Sequence, residues 1–279
     1  MRPVRVDAHL HFWRYEPSAY PWIDARMQAI ARDFLPDDVE ADLDACGFDG
    51  GIAVQARGSD AETRFLLDLA RQHPRVLGVV GWVDLCADDV AARLEALDHP
   101  ALKGVRHIVQ DEPDDAFLLR PDFQRGVRAL GPRGLVYDVL VYPRQLDAAI
   151  AFVSAFPEQP FVLDHLAKPD IRGRMREPWE SRFRELAERP NVCCKLSGMV
   201  TEARWREWQA GDFERYLDTA LEAFSEDRLL FGSDWPVCLL AAEDYAAVHE
   251  LVLHWSGRLS PNERARLFGG NAQRVYGLS

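Results

Sequence analysis

The fold of this chain is indicated first by the stretch Val4-Arg5-Val6-Asp7-Ala8-His9-Leu10-His11-Phe12, an apolar run with two histidines near its end. Side chains alternate along a strand, so residues two apart point to the same face. As part of a strand, His9 and His11 would present two imidazoles to one point, which suits a metal ion or a polarised carbonyl oxygen. Apolar runs that end in a polar side chain recur at 161–165 and 229–234.

Apolar runs and amphipathic segments alternate along the whole chain. Leu35, Val39 and Leu43 recur at the four-residue spacing of a helix, and similar spacing occurs at 123–130 and 146–153. We predict strands at 4–12, 50–56, 76–83, 101–108, 135–142, 160–166, 191–197 and 228–234, with further helices at 60–73, 87–97, 177–189, 212–224 and 243–255.

Eight strand–helix units of this kind indicate buried parallel strands, because the apolar runs lack clean polar alternation. The size fits a (β/α)8 TIM barrel, for which about 250 residues are typical. The rival fold is a doubly wound open sheet, whose first turn is normally glycine-rich, and no G-x-G-x-x-G occurs. We therefore expect one α/β domain over residues 1–279, with 168–179 as the largest active-site loop.

The amino-acid composition argues against some classes of binding partner. The net charge of −12 argues against nucleic acid or an anionic membrane as the main partner, and no apolar run has the length of a membrane span. We expect a cytoplasmic protein that acts on a small molecule; the sequence leaves the oligomeric state open. The odd number of cysteines and the lack of a C-x-x-C pair indicate reduced thiols at Cys46, Cys86, Cys193, Cys194 and Cys238.

The carboxyl ends of the strands converge on one face of such a barrel and build its active site. Taken alone, each polar residue there has a structural alternative: His165 could be a hydrogen-bonded core imidazole, and Asp234 could cap a turn. As a group, three histidines with a carboxylate and several cations are hard to explain as packing. The predicted group comprises His9, His11, Arg106, His107, Asp138, His165, Lys195 and Asp234.

Five segments resemble the amidohydrolase superfamily, and more closely its branch of sugar-acid lactonases and the lactonase of pyrone dicarboxylate. The similarity runs from Val4 to Ala272, and the resemblance implies a barrel hydrolase. The segments are Val6-Asp7-Ala8-His9-Leu10-His11-Phe12-Trp13, Lys103-Gly104-Val105-Arg106, Asp164-His165-Leu166-Ala167-Lys168-Pro169, Lys195-Leu196-Ser197-Gly198 and Gly232-Ser233-Asp234-Trp235-Pro236.

The chain departs from the binuclear members of that superfamily. They use a histidine on strand five and a bridging lysine or glutamate on strand four, whereas 135–142 contains no histidine and Arg106 lies nearest the end of strand four. We expect at most one zinc ion, held by three nitrogens and one oxygen with room for water. The branch includes members that work without metal, so we expect this ion to be dispensable. Its ligands would be His9, His11, His165 and Asp234.

The resemblance implies hydrolysis of a sugar-acid lactone to the aldonic acid, with L-fuconolactone or L-rhamnonolactone as the expected substrate. Asp234 would activate water as general base, while His9, His11 and His165 polarise the carbonyl. The alternatives are a metal-dependent decarboxylase or another amidohydrolase-type hydrolase, and, from another class, a non-catalytic sugar-binding barrel. Substrate binding is expected of the cations Arg106, Lys195 and His107, and of the aromatic residues Trp13, Tyr15 and Trp235, for which packing of the barrel rim is an equal alternative.

Overall fold

The computed structural model describes residues 3–278 and confirms the predicted barrel. Its eight strands are all parallel and hydrogen-bonded in chain order, and a parallel bridge from Leu10 to Trp235 joins the first strand to the segment after the last. The strands are Val6–Leu10 (β1), Gly50–Val54 (β2), Val76–Gly81 (β3), Leu102–His107 (β4), Val136–Val139 (β5), Phe161–Leu163 (β6), Val192–Leu196 (β7) and Leu229–Phe231 (β8).

Helices follow the strands and cover the outside of the barrel. None of the helices within residues 3–278 is long and apolar enough to cross a bilayer. The helices are Pro36–Cys46 (α1), Asp60–Gln72 (α2), Val90–Glu95 (α3), Pro121–Val127 (α4), Leu146–Ser154 (α5), Trp179–Ala187 (α6), Glu214–Phe224 (α7), Tyr245–Trp255 (α8), Pro261–Ala265 (α9) and Asn271–Tyr276 (α10).

The amino-terminal part of the barrel is filled by small and branched side chains. Residues of α10 close this end, where the Lys103 ammonium of β4 donates to the Gly277 carbonyl at 3.1 Å. The opposite end is therefore the one left open to build a site. The apolar cluster comprises Val6, Ala8, Ile52, Val54, Val80, Val136, Val162, Cys193, Leu230, Ala272 and Tyr276.

Strand β1 contains an irregularity that affects its histidines. Val6 pairs with Gly50, whereas Leu10 pairs with Ala53, so β1 has one extra residue between these points. A bulge of this kind changes which face a side chain occupies. It allows Ala8 to contribute to the apolar filling while His9 also points into the barrel.

Glu62 is a buried carboxyl in the first turn of α2. Its Oε2 accepts hydrogen bonds from the backbone N–H groups of Ala56 and Arg57 at 3.0 and 2.9 Å, and its Oε1 accepts one from the Tyr20 hydroxyl at 3.1 Å. Burial raises the pKa of Glu62 from 4.5 to about 7 despite these donors. The carboxyl thereby anchors the loop that follows β2.

We expect Glu62→Gln to flatten the pH dependence of stability. The folded protein binds a proton at Glu62 that the unfolded chain has released, so the free energy of unfolding falls as pH rises from 4.5 to 7. The fall attributable to this group is on the order of 3 kcal/mol, and glutamine removes it because it does not titrate. Urea unfolding across this range measures both slopes. Parallel curves for the two proteins would contradict the raised pKa.

Candidate functional site

A cavity of about 370 Å3 lies at the carboxyl ends of the strands. The loops after β4, β5, β6 and β7 contribute most of its polar side chains. The segments after β8 and β1 contribute Asp234 and His11 at the floor and otherwise apolar side chains. The cavity therefore has a polar side, an apolar side and a floor of reactive groups. It is lined by His11, Trp22, Met27, Ala56, Arg106, Ile108, Gln110, Asp111, Leu140, Tyr142, His165, Lys168, Thr201, Glu202, Trp205, Asp234, Val237 and Leu240.

The four predicted catalytic residues come together at the floor. Oδ1 of Asp234 lies 3.3 Å from Nε2 of His11, 3.7 Å from Nε2 of His9 and 3.8 Å from Nε2 of His165. The two Nε2 atoms of His9 and His11 are 3.2 Å apart. All four residues are buried, so their interactions are screened little by solvent.

Asp234 follows β8 and is held by β1, the strand next to β8 where the barrel closes. It has a left-handed backbone with φ +60°, and its N–H donates to the His9 carbonyl at 2.9 Å. The buried carboxylate of Asp7 accepts hydrogen bonds from the N–H groups of His9 and Ser233 at 2.9 and 3.0 Å. A Cβ atom at Gly232 would lie 2.7 Å from Cβ of His9, so glycine allows this approach. Asp7 thus fixes the backbone of His9 and of the segment that carries Asp234.

His165 begins a left-handed turn of four residues directly after Asp164. Its Nδ1 lies 2.8 Å from the Ser197 hydroxyl of the segment after β7, which orients the ring toward Asp234. Gly198 has φ +61°, and a Cβ atom there would lie 2.5 Å from Cγ of His165. Only glycine permits the His165 ring to pack at this distance, which explains the Ser197-Gly198 pair in the sequence.

The donors at the floor fit a divalent metal ion. Nδ1 of His11 lies 2.8 Å from the Val54 carbonyl, so in neutral His11 this nitrogen carries the proton and Nε2 offers a lone pair. Neighbouring ligands of tetrahedral zinc lie about 3.3 Å apart when bonds are ~2.0–2.1 Å, close to the separations within His9, His11 and Asp234. These three form one candidate metal group, and His165 joins His9 and Asp164 in a second.

Beneath the floor lies a buried network of charges that the sequence did not reveal. Asp164 accepts from the Arg106 guanidinium at 2.9 Å and lies 2.9 Å from the Lys195 ammonium. Lys195 also donates to Asp138 at 2.5 Å, and the Tyr276 hydroxyl donates to the same carboxylate at 2.8 Å. Two buried carboxylates are therefore balanced by two cations, Lys195 beside Nδ1 of His9 and Arg106 beside its Nε2.

Burial and neighbours set the charge states at the floor. Burial lowers the pKa of His165 to about 4 and holds the pKa of His9 well below its usual value, so both rings are neutral at pH 7. Burial alone would raise the pKa of Asp234, but the interaction with His165 brings it below its ordinary value. Asp234 is therefore a carboxylate facing neutral His9 and His165 rings.

Of the predicted binding cations, the structure brings only Arg106 to the cavity wall. Lys195 is fully buried, and its ammonium lies 3.2 Å from Nδ1 of His9, behind the ring rather than in the cavity. His107 turns away, with its ring stacked on Phe117 at 4.8 Å and Nε2 bonded to Glu112 at 2.7 Å. Substrate contact by Lys195 and His107 is therefore not what this geometry supports.

The predicted aromatic binding residues also lie outside the cavity wall and serve as packing. Trp13 and Trp235 are buried, and each packs on Phe34 with ring centroids 5.7 and 5.2 Å away. Tyr15 stacks on Tyr20 at 6.5 Å. The alternative of rim packing, left open by the sequence, describes all three positions.

Several wall residues were missed by the sequence interpretation. Trp22 and Met27 come from the long segment between β1 and α1, which carried no periodic signal. Lys168 lies within a quoted segment and begins the predicted loop 168–179, although of that loop only Lys168 lines the cavity. A signal was available, because polar residues that directly follow a predicted strand belong to the active-site face.

Several known proteins resemble this chain in sequence and in fold. The sequence profile of the amidohydrolase family matches residues 6–278. L-fucono-1,5-lactonases of Burkholderia multivorans and Burkholderia ambifaria are 47% and 39% identical to this chain; the alignments cover 100% and 98% of it and 97% and 95% of the relatives. A crystal structure of an amidohydrolase from Burkholderia multivorans with bound zinc superposes with a TM-score of 0.95 at 48% identity, covering 99% of this chain and 100% of that one.

Proposed function

This chain belongs to the amidohydrolase family, and from that premise we propose that it hydrolyses a sugar lactone to the aldonic acid. L-fuconolactone is the first candidate substrate, and L-rhamnonolactone is the second. One observation carries the proposal: an ionised Asp234 faces His9, His11 and His165 at the floor of a cavity of sugar size. Two full-length relatives that are named as fuconolactonases support it.

In this mechanism Asp234 acts as the general base. Its carboxylate takes a proton from water, and the water oxygen bonds to the lactone carbonyl carbon to form a tetrahedral intermediate. The bond between that carbon and the ring oxygen then breaks. Asp234 returns its proton to the departing ring oxygen, which becomes a hydroxyl of the aldonic acid. Asp234 thus ends each cycle as the carboxylate with which it began.

Arg106 is the fixed positive charge on the cavity wall. Its NH1 lies 3.3 Å from Nε2 of His9, and Asp164 and the side chain of Gln55 hold the guanidinium at 2.9 and 3.0 Å. A preorganised cation stabilises the negative charge that develops on the carbonyl oxygen. The inward-facing nitrogen of neutral His11 carries a lone pair and cannot donate. The hydrogen bonds to the carbonyl oxygen are therefore supplied by Arg106 and by an N–H group of the neutral His9 or His165 ring.

A bound metal ion would be held by His9, His11 and Asp234, where it would add Lewis-acid polarisation of the carbonyl or the water. We propose that this contribution is dispensable. A lactone carbonyl is more electrophilic than an amide, so it needs less polarisation, and Arg106 already provides charge at the floor.

The charges around the cavity favour a neutral substrate. Three carboxylates, those of Asp111, Glu202 and Asp234, line it against two cations, Arg106 and Lys168. A dicarboxylated ring would meet a wall with an excess of negative charge. A polyhydroxylated lactone has no charge to be repelled and offers hydroxyl groups to both signs.

A screen of aldonolactones with a pH indicator tests the function, and we expect turnover of L-fuconolactone.

Exhaustive chelation, with metal content followed by elemental analysis, is expected to leave most of that rate, because Asp234 activates water without an ion. A rate that falls in proportion to bound metal would contradict the dispensable ion. Decarboxylation of an aromatic acid with no lactone hydrolysis would contradict the proposed function itself.

A further inference from the structure

Two charged side chains on the polar side of the cavity have no part in the reaction described above. Lys168 follows β6 and Glu202 follows β7, and both line the cavity. Nζ of Lys168 lies 3.6 Å from Oε1 of Glu202, and the side chains are 15% and 21% exposed. This separation is too long for a direct hydrogen bond. Both groups therefore keep hydrogen-bonding capacity for a third partner.

An aromatic ring contacts the lysine of this pair. The ammonium of Lys168 lies over the ring of Tyr142, 5.5 Å from its centroid, where a cation is favoured. The Trp205 indole, which lines the same cavity, is fixed by a hydrogen bond of 2.9 Å from Nε1 to the Thr201 carbonyl. The Tyr142 ring thus restrains the Lys168 ammonium, which limits the conformational entropy that this side chain loses when a ligand binds.

The backbone ties Lys168 to the reacting groups. Residues 165–168 all have left-handed backbone angles, with φ between 50° and 55°, although none is glycine. Such strain persists only where the surroundings enforce it, and it concentrates at functional sites. Here the buried indole of Trp179 donates to the Leu166 carbonyl at 2.7 Å. One rigid turn therefore carries His165 at its start and Lys168 at its end, both facing the same cavity.

We propose that Lys168 and Glu202 form the specificity-determining pair that binds two hydroxyl groups of the substrate. The ammonium donates a hydrogen bond to the oxygen of one hydroxyl, and the carboxylate accepts a hydrogen bond from another. This inference rests on the proposed function and deepens it, because it states how a sugar lactone is distinguished from a plain one. Glu202 also repels a carboxylate at this position, so the pair selects neutral polyhydroxylated rings.

The test compares L-fuconolactone with γ-butyrolactone, a lactone without hydroxyl groups. For Glu202→Gln and for Lys168→Met we expect the ratio of kcat/KM for fuconolactone over butyrolactone to fall about 10- to 100-fold, the factor typical of a lost hydrogen bond to a charged group. The fall should arise mainly from a higher KM for fuconolactone. Glu222→Gln is the matched control, since Glu222 is exposed and pairs with Arg184 at 2.7 Å, and we expect the wild-type ratio.

Thermal unfolding of each variant separates recognition from damage to the fold. If Lys168→Met does not fold, Glu202→Gln and Lys168→Gln decide the question. An unchanged ratio, or an equal loss on both lactones, would overturn the pair as specificity-determining. If the wild-type protein hydrolysed no aldonolactone of the screen, the proposed function would fall, and this inference with it.

Discussion

Asp234→Asn is expected to lower kcat for lactone hydrolysis by about 10²–10⁴-fold, the usual contribution of a general base. Asparagine has nearly the same shape, but its amide cannot accept the proton of the attacking water. The left-handed backbone at this position is tolerated by asparagine as by aspartate, and the hydrogen bond from the Asp234 N–H to the His9 carbonyl does not depend on the side chain. Steady-state kinetics of the purified variant measure the effect.

Asp147→Asn serves as the control for this substitution. Asp147→Asn removes the same charge from an exposed side chain that pairs with Arg182 at 2.8 Å and does not line the cavity. We expect wild-type kcat for the control and a thermal midpoint close to wild type for both proteins. More than about a tenth of wild-type kcat in Asp234→Asn would remove Asp234 from the role of base.

Lys195→Met is expected to lower the free energy of unfolding by about 3–5 kcal/mol, the cost of leaving a buried charge without its partner. Its ammonium lies 2.5 Å from Asp138 and 2.9 Å from Asp164, and all three side chains are fully buried. Arg106 still neutralises Asp164 in the variant, so the unpaired charge is that of Asp138. Urea unfolding at neutral pH measures the loss.

The pH dependence identifies the cause of that loss. Burial raises the pKa of Asp138 to about 6 even with Lys195 present. Removing the cation raises this pKa further, so the variant takes up a proton in the folded state, and its deficit in stability should grow as pH rises from 5 to 8. A deficit independent of pH would show that lost packing, not the charge, is responsible.

Two further variants complete this experiment. Adding Asp138→Asn to Lys195→Met should recover part of the stability, because the orphaned charge is removed. Arg182→Met, which breaks the exposed contacts to Asp147 and Glu185, should change stability by no more than about 0.5 kcal/mol.

The barrel and the residues at the floor of the cavity could be predicted from the sequence. Buried parallel strands have short apolar sequences, and in a barrel their carboxyl ends lie on one face. Polar residues at those ends are therefore predicted to converge. His9, His11 and His165 do so, each with a ring nitrogen within 3.8 Å of Oδ1 of Asp234. The spacing of His9 and His11 needed only the alternation of a strand.

Only the tertiary structure decided which polar and aromatic residues reach the cavity. Lys195 points into the barrel as alternation requires, but His9 lies above it, so its partners are carboxylates and not substrate. Trp13 and Trp235 pack on Phe34 because the path of the segment after β1 brings that ring between them. Periodicity specifies on which face of a strand a side chain lies. How far that side chain lies below the cavity, and which path a loop takes, depend on contacts between residues far apart in the chain. For the same reason, Lys168 and Glu202 could be recognised as a pair only in the folded protein.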